Sequence, residues 1–127
     1  MRELITAPGL GNPERYASAV VAGGLVFTSG QVAICQEHPA VPEKFTDEVE
    51  VVLDHLEETL AAAGTGLDHL VKVLAFIDDL DRFDEFNEVY LRRLAGRGFP
   101  ARTTVQVARF RGEKRLELEA VAALPGA

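Results

Sequence analysis

The 127-residue chain has a single cysteine, Cys35. It can form no disulfide within the chain, which excludes a small fold stapled by disulfides and fits a reducing, cytoplasmic setting. A basic tract is also missing. With 13 Lys and Arg against 20 Asp and Glu, the formal net charge is −7. That balance argues against a nucleic-acid binder that works by neutralising phosphates. Long apolar runs are absent: the longest, Ala19 to Phe27, falls far short of the ~20 residues of a membrane-spanning helix. The opening stretch MRELITAPGLGNPERY has no apolar core of the kind a signal peptide needs. No membrane association is expected. His38, His55 and His69 are widely spaced, on a loop, a helix flank and a strand entry, and Cys35 adds one ligand at most, so no metal is expected. Gly9 and Gly11 follow no strand and open no helix, so they make no dinucleotide loop, and no cofactor is expected. No repeat, low-complexity segment or inter-domain linker breaks the chain.

What is present is an ordinary globular composition, 47% hydrophobic and 26% charged, long enough to bury one core as a single domain over 1–127. Residues 1–15, rich in Gly and Pro, read as an irregular lead-in. ASAVVAGGLVFTSGQVA gives two β-prone runs around Gly23-Gly24, a dipeptide that adopts positive φ at little cost and reads as a hairpin turn. Residues 34–45 hold two prolines and no periodicity, and read as a loop. Thr46 is placed as an N-cap, with Asp47, Glu48 and Glu50 in the first turn, where acidic groups suit the helix dipole. Val49, Val52, Leu53, Leu56, Leu60 and Ala63 then follow helical spacing until Gly64. A strand is expected over about 70–77. A second helix follows from near Asp81 to Leu94, with Phe83, Phe86, Tyr90 and Leu94 on one stripe. Asn87 sits within that stripe and reads as a structural hydrogen-bonding residue. ARTTVQVARF and RLELEAVAAL supply two closing strands. The order β-β-α-β-α-β-β indicates an α+β fold with both helices on one face of the sheet. The other face is mixed in polarity, which suits water or another subunit.

Arg102 opens the first of the closing strands, in FPARTTVQV. Strand side chains alternate, so 102, 104 and 106 share a face. Val105 and Val107 are read as the buried side, leaving Arg102 on the polar face at a strand end. There its planar fork can grip a carboxylate in two places, or form an ion pair with one of the many acidic residues. Glu117 alternates with leucines and so falls on the face away from the helices. A carboxylate there can orient water and move its proton, or be merely solvated. Glu119 shares that face, and a slip in register would exchange the two; Glu117 is favoured. Ser29 and Gly30 in FTSGQ offer a hydroxyl and a backbone N–H to a ligand. No His or acid stands at triad spacing, so Ser29 is not read as a nucleophile.

Several segments together, YASAVVAGGLVFTSGQVA (16–33), AAAGTGLDHLVKVLAFIDDLDRFDEFNEVY (61–90), FPARTTVQVA (99–108) and LELEAVA (116–122), resemble the Rid family, also called YjgF-like or L-PSP-like. The resemblance spans nearly the whole chain in the same order. It implies a chorismate-mutase-like α+β subunit, a homotrimer with ligand clefts between neighbours, and hydrolysis of reactive 2-enamine and 2-imino acids to 2-keto acids and ammonia. Arg102 matches the family's PxR arginine, which binds the substrate carboxylate, and Glu117 matches the last-strand glutamate near the attacking water. Tyr16 is kept; it either closes the cleft from a neighbouring subunit, by its ring or its hydroxyl, or is a half-buried packing aromatic, while backbone groups near Ser29, Gly30 and Thr104 complete the pocket. This chain departs from the family at ERYAS, where many members read Gly-Pro-Tyr-Ser-Gln. It also has Thr104 where Cys is common, and its 34–45 loop lacks the usual Gly-Asp character. Two further readings stand beside the deaminase. One is a non-catalytic module that binds a small carboxylate in regulation; the other is a ribonuclease, which the acidic charge makes the weakest.

Overall fold

The computed structural model describes residues 1–126. A single six-stranded sheet has the spatial order β1-β2-β3-β6-β4-β5. Its strands are β1 (Glu3–Ile5), β2 (Ala19–Ala22), β3 (Leu25–Thr28), β4 (Leu70–Ile77), β5 (Ala101–Gln106) and β6 (Leu116–Ala123). Helices α1 (Phe45–Ala62) and α2 (Phe83–Leu94) pack on one face. β5 runs parallel to β4; every other pairing is antiparallel. Parallel neighbours need a crossover, and α2 supplies it between β4 and β5. Helix α1 does the same between β3 and β4, and β6 fills the gap between those two strands. The expected α+β order is therefore present with one strand added.

That strand is β1, within the stretch expected to be irregular. Its three residues pair with β2 at the sheet edge. A strand this short carries no alternation to read, because it is held by backbone hydrogen bonds rather than by a buried face. The Gly23-Gly24 turn is as expected: both glycines have positive φ, 59° and 77°, between β2 and β3. Helix α1 begins at Phe45 rather than after Thr46. Lys44 occupies its N-cap with no side-chain bond to the helix. Its apolar stripe is as read: Val49, Val52, Leu53, Leu56 and Leu60 are fully buried, each worth about 1.5–3 kcal/mol relative to exposure. Gly64 follows the helix with φ 88°.

Sheet register settles which residues share a face. Val73, Ala75 and Ile77 of β4 are fully buried beneath the helices and pair with Ala120, Leu118 and Leu116 of β6. On the other side they pair with Arg102, Thr104 and Gln106 of β5. Arg102 and Thr104 therefore lie on the helix-covered face. This reverses the expectation that Val105 marks the buried side: Val105 is on the open face and 41% exposed. The open face also carries Phe27, Val121, Leu74 and Phe76, with Lys72, Glu117 and Glu119 among them.

Candidate functional site

The side chains expected to form one site fall into two groups in a single chain. The first surrounds Arg102 on edge strand β5. Its Nη1 donates to Oδ1 of Asn87 at 2.8 Å, and its guanidinium lies over the rings of Phe83, Phe86 and Tyr90, with centroids 5.5, 5.3 and 4.7 Å away. Helix α2 places all four partners, since 83, 86, 87 and 90 recur at helical spacing on the face that meets β5. No carboxylate pairs with Arg102 among the described residues, so an ion pair within the chain does not explain it. Aromatic faces hold a guanidinium without neutralising it. Two polar atoms beside it, Thr104 Oγ1 and the Tyr90 hydroxyl, are buried without a hydrogen-bond partner. Burial raises the Tyr90 pKa above its ordinary value, against the opposing pull of Arg102. Buried polar groups left open in this way are uncommon and point to a ligand or a second chain. Asn87 was read from the sequence as structural only. Its position in the Phe83–Tyr90 stripe was visible, but the strand facing that stripe was not.

The second group lies on the far side of β6. Tyr16, Ser29 and Gly30 line a cavity of about 380 Å³ between the N-terminal segment, residues 29–36 and α1. The Ser29 hydroxyl donates to the Ala17 carbonyl at 2.7 Å, so towards a ligand it can act only as an acceptor. Gln31, buried, locks this turn in place. Its Nε2 donates to Ser29 O at 3.0 Å, its Oε1 accepts from Thr59 Oγ1 at 2.9 Å, and its backbone pairs with Leu118 in both directions. His55 of α1 is also buried, with Nδ1 2.7 Å from Val32 O.

Glu117 reaches this group from the open sheet face. It lies so close to Gly30 that a Cβ at residue 30 would meet its carboxylate, and a larger residue there would displace the flexible end of the Glu117 side chain from the turn. Burial pushes the Glu117 pKa up from the ordinary carboxylate value; Lys114 opposes the shift and Glu119 adds to it. A carboxylate with a raised pKa suits proton transfer near neutral pH. The three atoms nearest to the Cβ position at residue 30 all belong to Glu117. Tyr16 is 48% exposed and packs near Gly11 at the cavity mouth. Lys114 also lines this cavity, and sequence reasoning had passed over it because nothing in its spacing marks it.

Among the described residues, no three His, Cys, Asp or Glu side chains are grouped to hold a metal, and no helix is long and apolar enough to cross a membrane. One chain thus brings Tyr16, Ser29, Gly30 and Glu117 together. It keeps Arg102 and Thr104 two strands away on β5, on the helix-covered face, whereas Glu117 stands on the open face.

Comparison with known proteins bears on this arrangement. Residues 8–124 match the family described as Endoribonuclease L-PSP. The chain is 36% identical over 118 residues to TdcF of Escherichia coli K12, named as a reactive intermediate deaminase, covering 91% of this chain and 90% of that protein. It is 35% identical over 124 residues to the RutC family protein UK114 of Drosophila melanogaster, covering 96% and 89%. Among solved structures, E. coli TdcF with bound serine superposes with a TM-score of 0.85 at 34% identity, covering 95% of this chain and 98% of that one. Yeast Mmf1 gives 0.88 at 29% identity, covering 98% and 99%.

Proposed function

The chain belongs to the L-PSP family, which includes the YjgF and Rid proteins, and on that premise we propose that it hydrolyses reactive 2-enamine and 2-imino acids to 2-keto acids and ammonia. The observation that carries this reading is Arg102: a guanidinium held by three aromatic rings and an amide oxygen, with no carboxylate of its own chain to neutralise it. Such a group is prepared for an incoming α-carboxylate. The relative TdcF has been solved with serine, which carries one.

In this reading the site is built between copies of the chain. Arg102, Asn87 and Thr104 of one copy face Tyr16, Ser29, Gly30 and Glu117 of the next, because one chain holds the two groups apart, β4 lying between β5 and β6. Arg102 takes the carboxylate. An enamine first gains a proton at Cβ and loses one from nitrogen to become the imine. Water held by Glu117 then adds to the C=N carbon, and its proton passes through the Glu117 carboxylate to the nitrogen, giving a carbinolamine. The hydroxyl proton then follows the same route to the nitrogen as the C–N bond breaks, releasing ammonia and leaving the carbonyl. Imines hydrolyse in water unaided, so orienting one water and one carboxylate is enough to matter. The steps as drawn call on no metal or cofactor. The assay supplies imines in situ from an amino-acid oxidase and follows ammonia and keto-acid formation. No acceleration over the protein-free rate would leave the non-catalytic carboxylate-binding module as the better reading.

The raised pKa of Glu117 gives the reaction a pH signature. If the carboxylate form is the base, kcat/KM falls as pH drops through that pKa. The acidic limb is then expected above the ordinary carboxylate value of 4.5, and Glu117→Gln should lower activity and abolish the limb. A limb that survives in the glutamine variant belongs to another group.

A homotrimer is proposed as the working form. The open sheet face supports it: Phe27 is 44% and Val105 41% exposed there, beside Leu74, Phe76 and Val121. An apolar sheet face of this kind packs against protein more readily than it meets water. Light scattering should give three times the 13.8 kDa chain mass. A monomer at micromolar concentration would remove the shared cleft.

A further inference from the structure

We propose that Lys114 is a specificity residue that selects 2-imino acids bearing a second anionic group, a carboxylate or phosphate at the end of the side chain. This rests on the deaminase reading and names its substrate class.

The cavity beside Gly30 carries no carboxylate on its lining, although the chain has 20 acidic residues. It has one fixed positive charge, Lys114. His55, its other basic side chain, has one ring nitrogen engaged by the Val32 carbonyl. Lys114 makes no ion pair or side-chain hydrogen bond among the described residues. Neither do Arg109 and Arg111 on the same β5–β6 connection. Arg82, Arg92, Arg93, Arg97 and Arg115 are paired with carboxylates, whereas Arg2, Arg15, Lys44 and Lys72 form no ion pair among the described residues either. Three cations without an ion pair thus fall within six residues that hold one acid, Glu113, and the last of the three lines the cavity. Clustered charge of one sign at a cleft raises the local concentration of oppositely charged ligands.

Arg102 of the adjacent copy answers the α-carboxylate. Lys114 is then a second cation; the Glu117 carboxylate offsets its charge from a distance without forming an ion pair with it, and a dianionic substrate supplies a direct partner. An ammonium group is a point charge with rotatable donors, suited to either a carboxylate or a phosphate. The cavity, about 380 Å³, is within the range of small-molecule sites. A nucleic acid is the less favoured occupant, because the chain carries a net charge of −7.

The test uses the full-length protein and its Lys114→Met and Lys114→Arg variants. Calorimetric titration compares 2-oxoglutarate, a 2-oxo acid of the same length ending in phosphonate, and 2-oxobutanoate. Kinetics compare the corresponding imines well above the acidic limb, so that any effect of Lys114 on the Glu117 pKa drops out. The parent should bind one of the dianions at least about 10-fold more tightly than 2-oxobutanoate, and whichever is tighter identifies the second group. In Lys114→Met that ratio should fall by about 10- to 100-fold, the range for a charged hydrogen bond, and Lys114→Arg should keep most of it. A parent with no preference for the dianions overturns the proposal, as does a ratio unchanged in Lys114→Met. So does an equal loss for monocarboxylate and dianion, which would place Lys114 on the α-carboxylate. Tighter binding of a short single-stranded RNA than of either dianion, lost in Lys114→Met, would also overturn it. Binding is read without turnover, so a protein that prefers dianions yet hydrolyses no imine would sink the deaminase reading and leave the selectivity standing.

Discussion

Arg102→Lys is expected to lower kcat/KM for imine hydrolysis by about 30- to 1,000-fold, although the positive charge is kept. A charge-assisted two-point contact with a carboxylate is worth roughly 2–4 kcal/mol, and most of it is lost when a planar fork becomes a point charge. The structure sharpens this expectation. The Arg102 guanidinium is oriented by the Asn87 amide and lies over Phe83, Phe86 and Tyr90. An ammonium group cannot keep the Asn87 bond, the ring stacking and two parallel bonds to a substrate at the same time. Arg102→Ala should do at least as much damage. Stability should change little, because Arg102 sits on an edge strand and is only partly buried. Losing its stacking costs about 1 kcal/mol, a shift of a few degrees in Tm for a chain this size. The measurement is kcat/KM beside thermal melting for the parent and both variants. Parental activity in the lysine variant would mean that Arg102 does not hold substrate. Collapse of the melting transition would make its role structural.

The second large effect concerns folding. Glu48 is fully buried on α1, and its Oε1 accepts from Nε of Arg115 at 2.6 Å while its Oε2 accepts from the Arg115 backbone N–H at 2.8 Å. Arg115 also donates to the carbonyls of Pro42 and Glu43 and lies over the Phe45 ring. One ion pair therefore ties the 34–44 loop, the start of α1 and the start of β6 together. Glu48→Ala leaves a half-buried guanidinium and a backbone N–H without their acceptor, and removing one partner of a buried pair typically costs about 3–5 kcal/mol. The adjacent Asp47, exposed on the same helical turn, should cost within about 0.5 kcal/mol on truncation to alanine. Urea unfolding of both variants and the parent at equal protein concentration measures this, since an oligomer's apparent stability depends on concentration. Equal midpoints for Glu48→Ala and Asp47→Ala would show that the pair contributes nothing net. Because Arg115 leads into Lys114 and Glu117, a loosened clamp should also weaken activity.

Much of the fold was legible because the signals are local. The α1 stripe from Val49 to Leu60, the Gly23-Gly24 turn and the 70–77 strand each follow from a few neighbouring residues whose spacing or permitted φ leaves one answer. The motif residues were legible as well: Arg102, Glu117, Ser29, Gly30, Tyr16 and Thr104 could all be singled out by type and order. Glu117 over Glu119 could only be favoured until register set Glu117 against Gly30.

What the tertiary structure alone decided was which side each residue faces and whom it meets. Alternation along FPARTTVQV divides the strand into two faces but carries no mark of which one the helices cover. The apolar Val105 suggested the wrong one. On an edge strand the helix-covered face is incompletely closed, so a guanidinium stacked on α2 fits there as well as a valine does, and the open face can be apolar if another chain covers it. Partners distant in sequence left no trace either. Glu48 was read as a first-turn helix acid, and its bond to Arg115, 67 residues away, exists only because β6 enters the sheet between β3 and β4. The place of Lys114 and the partner of Asn87 were illegible for the same reason: a polar side chain acquires its role from the surface opposite, and that surface is assembled by long-range packing. Composition and periodicity report what a segment buries, and the sheet register determines what it is buried against.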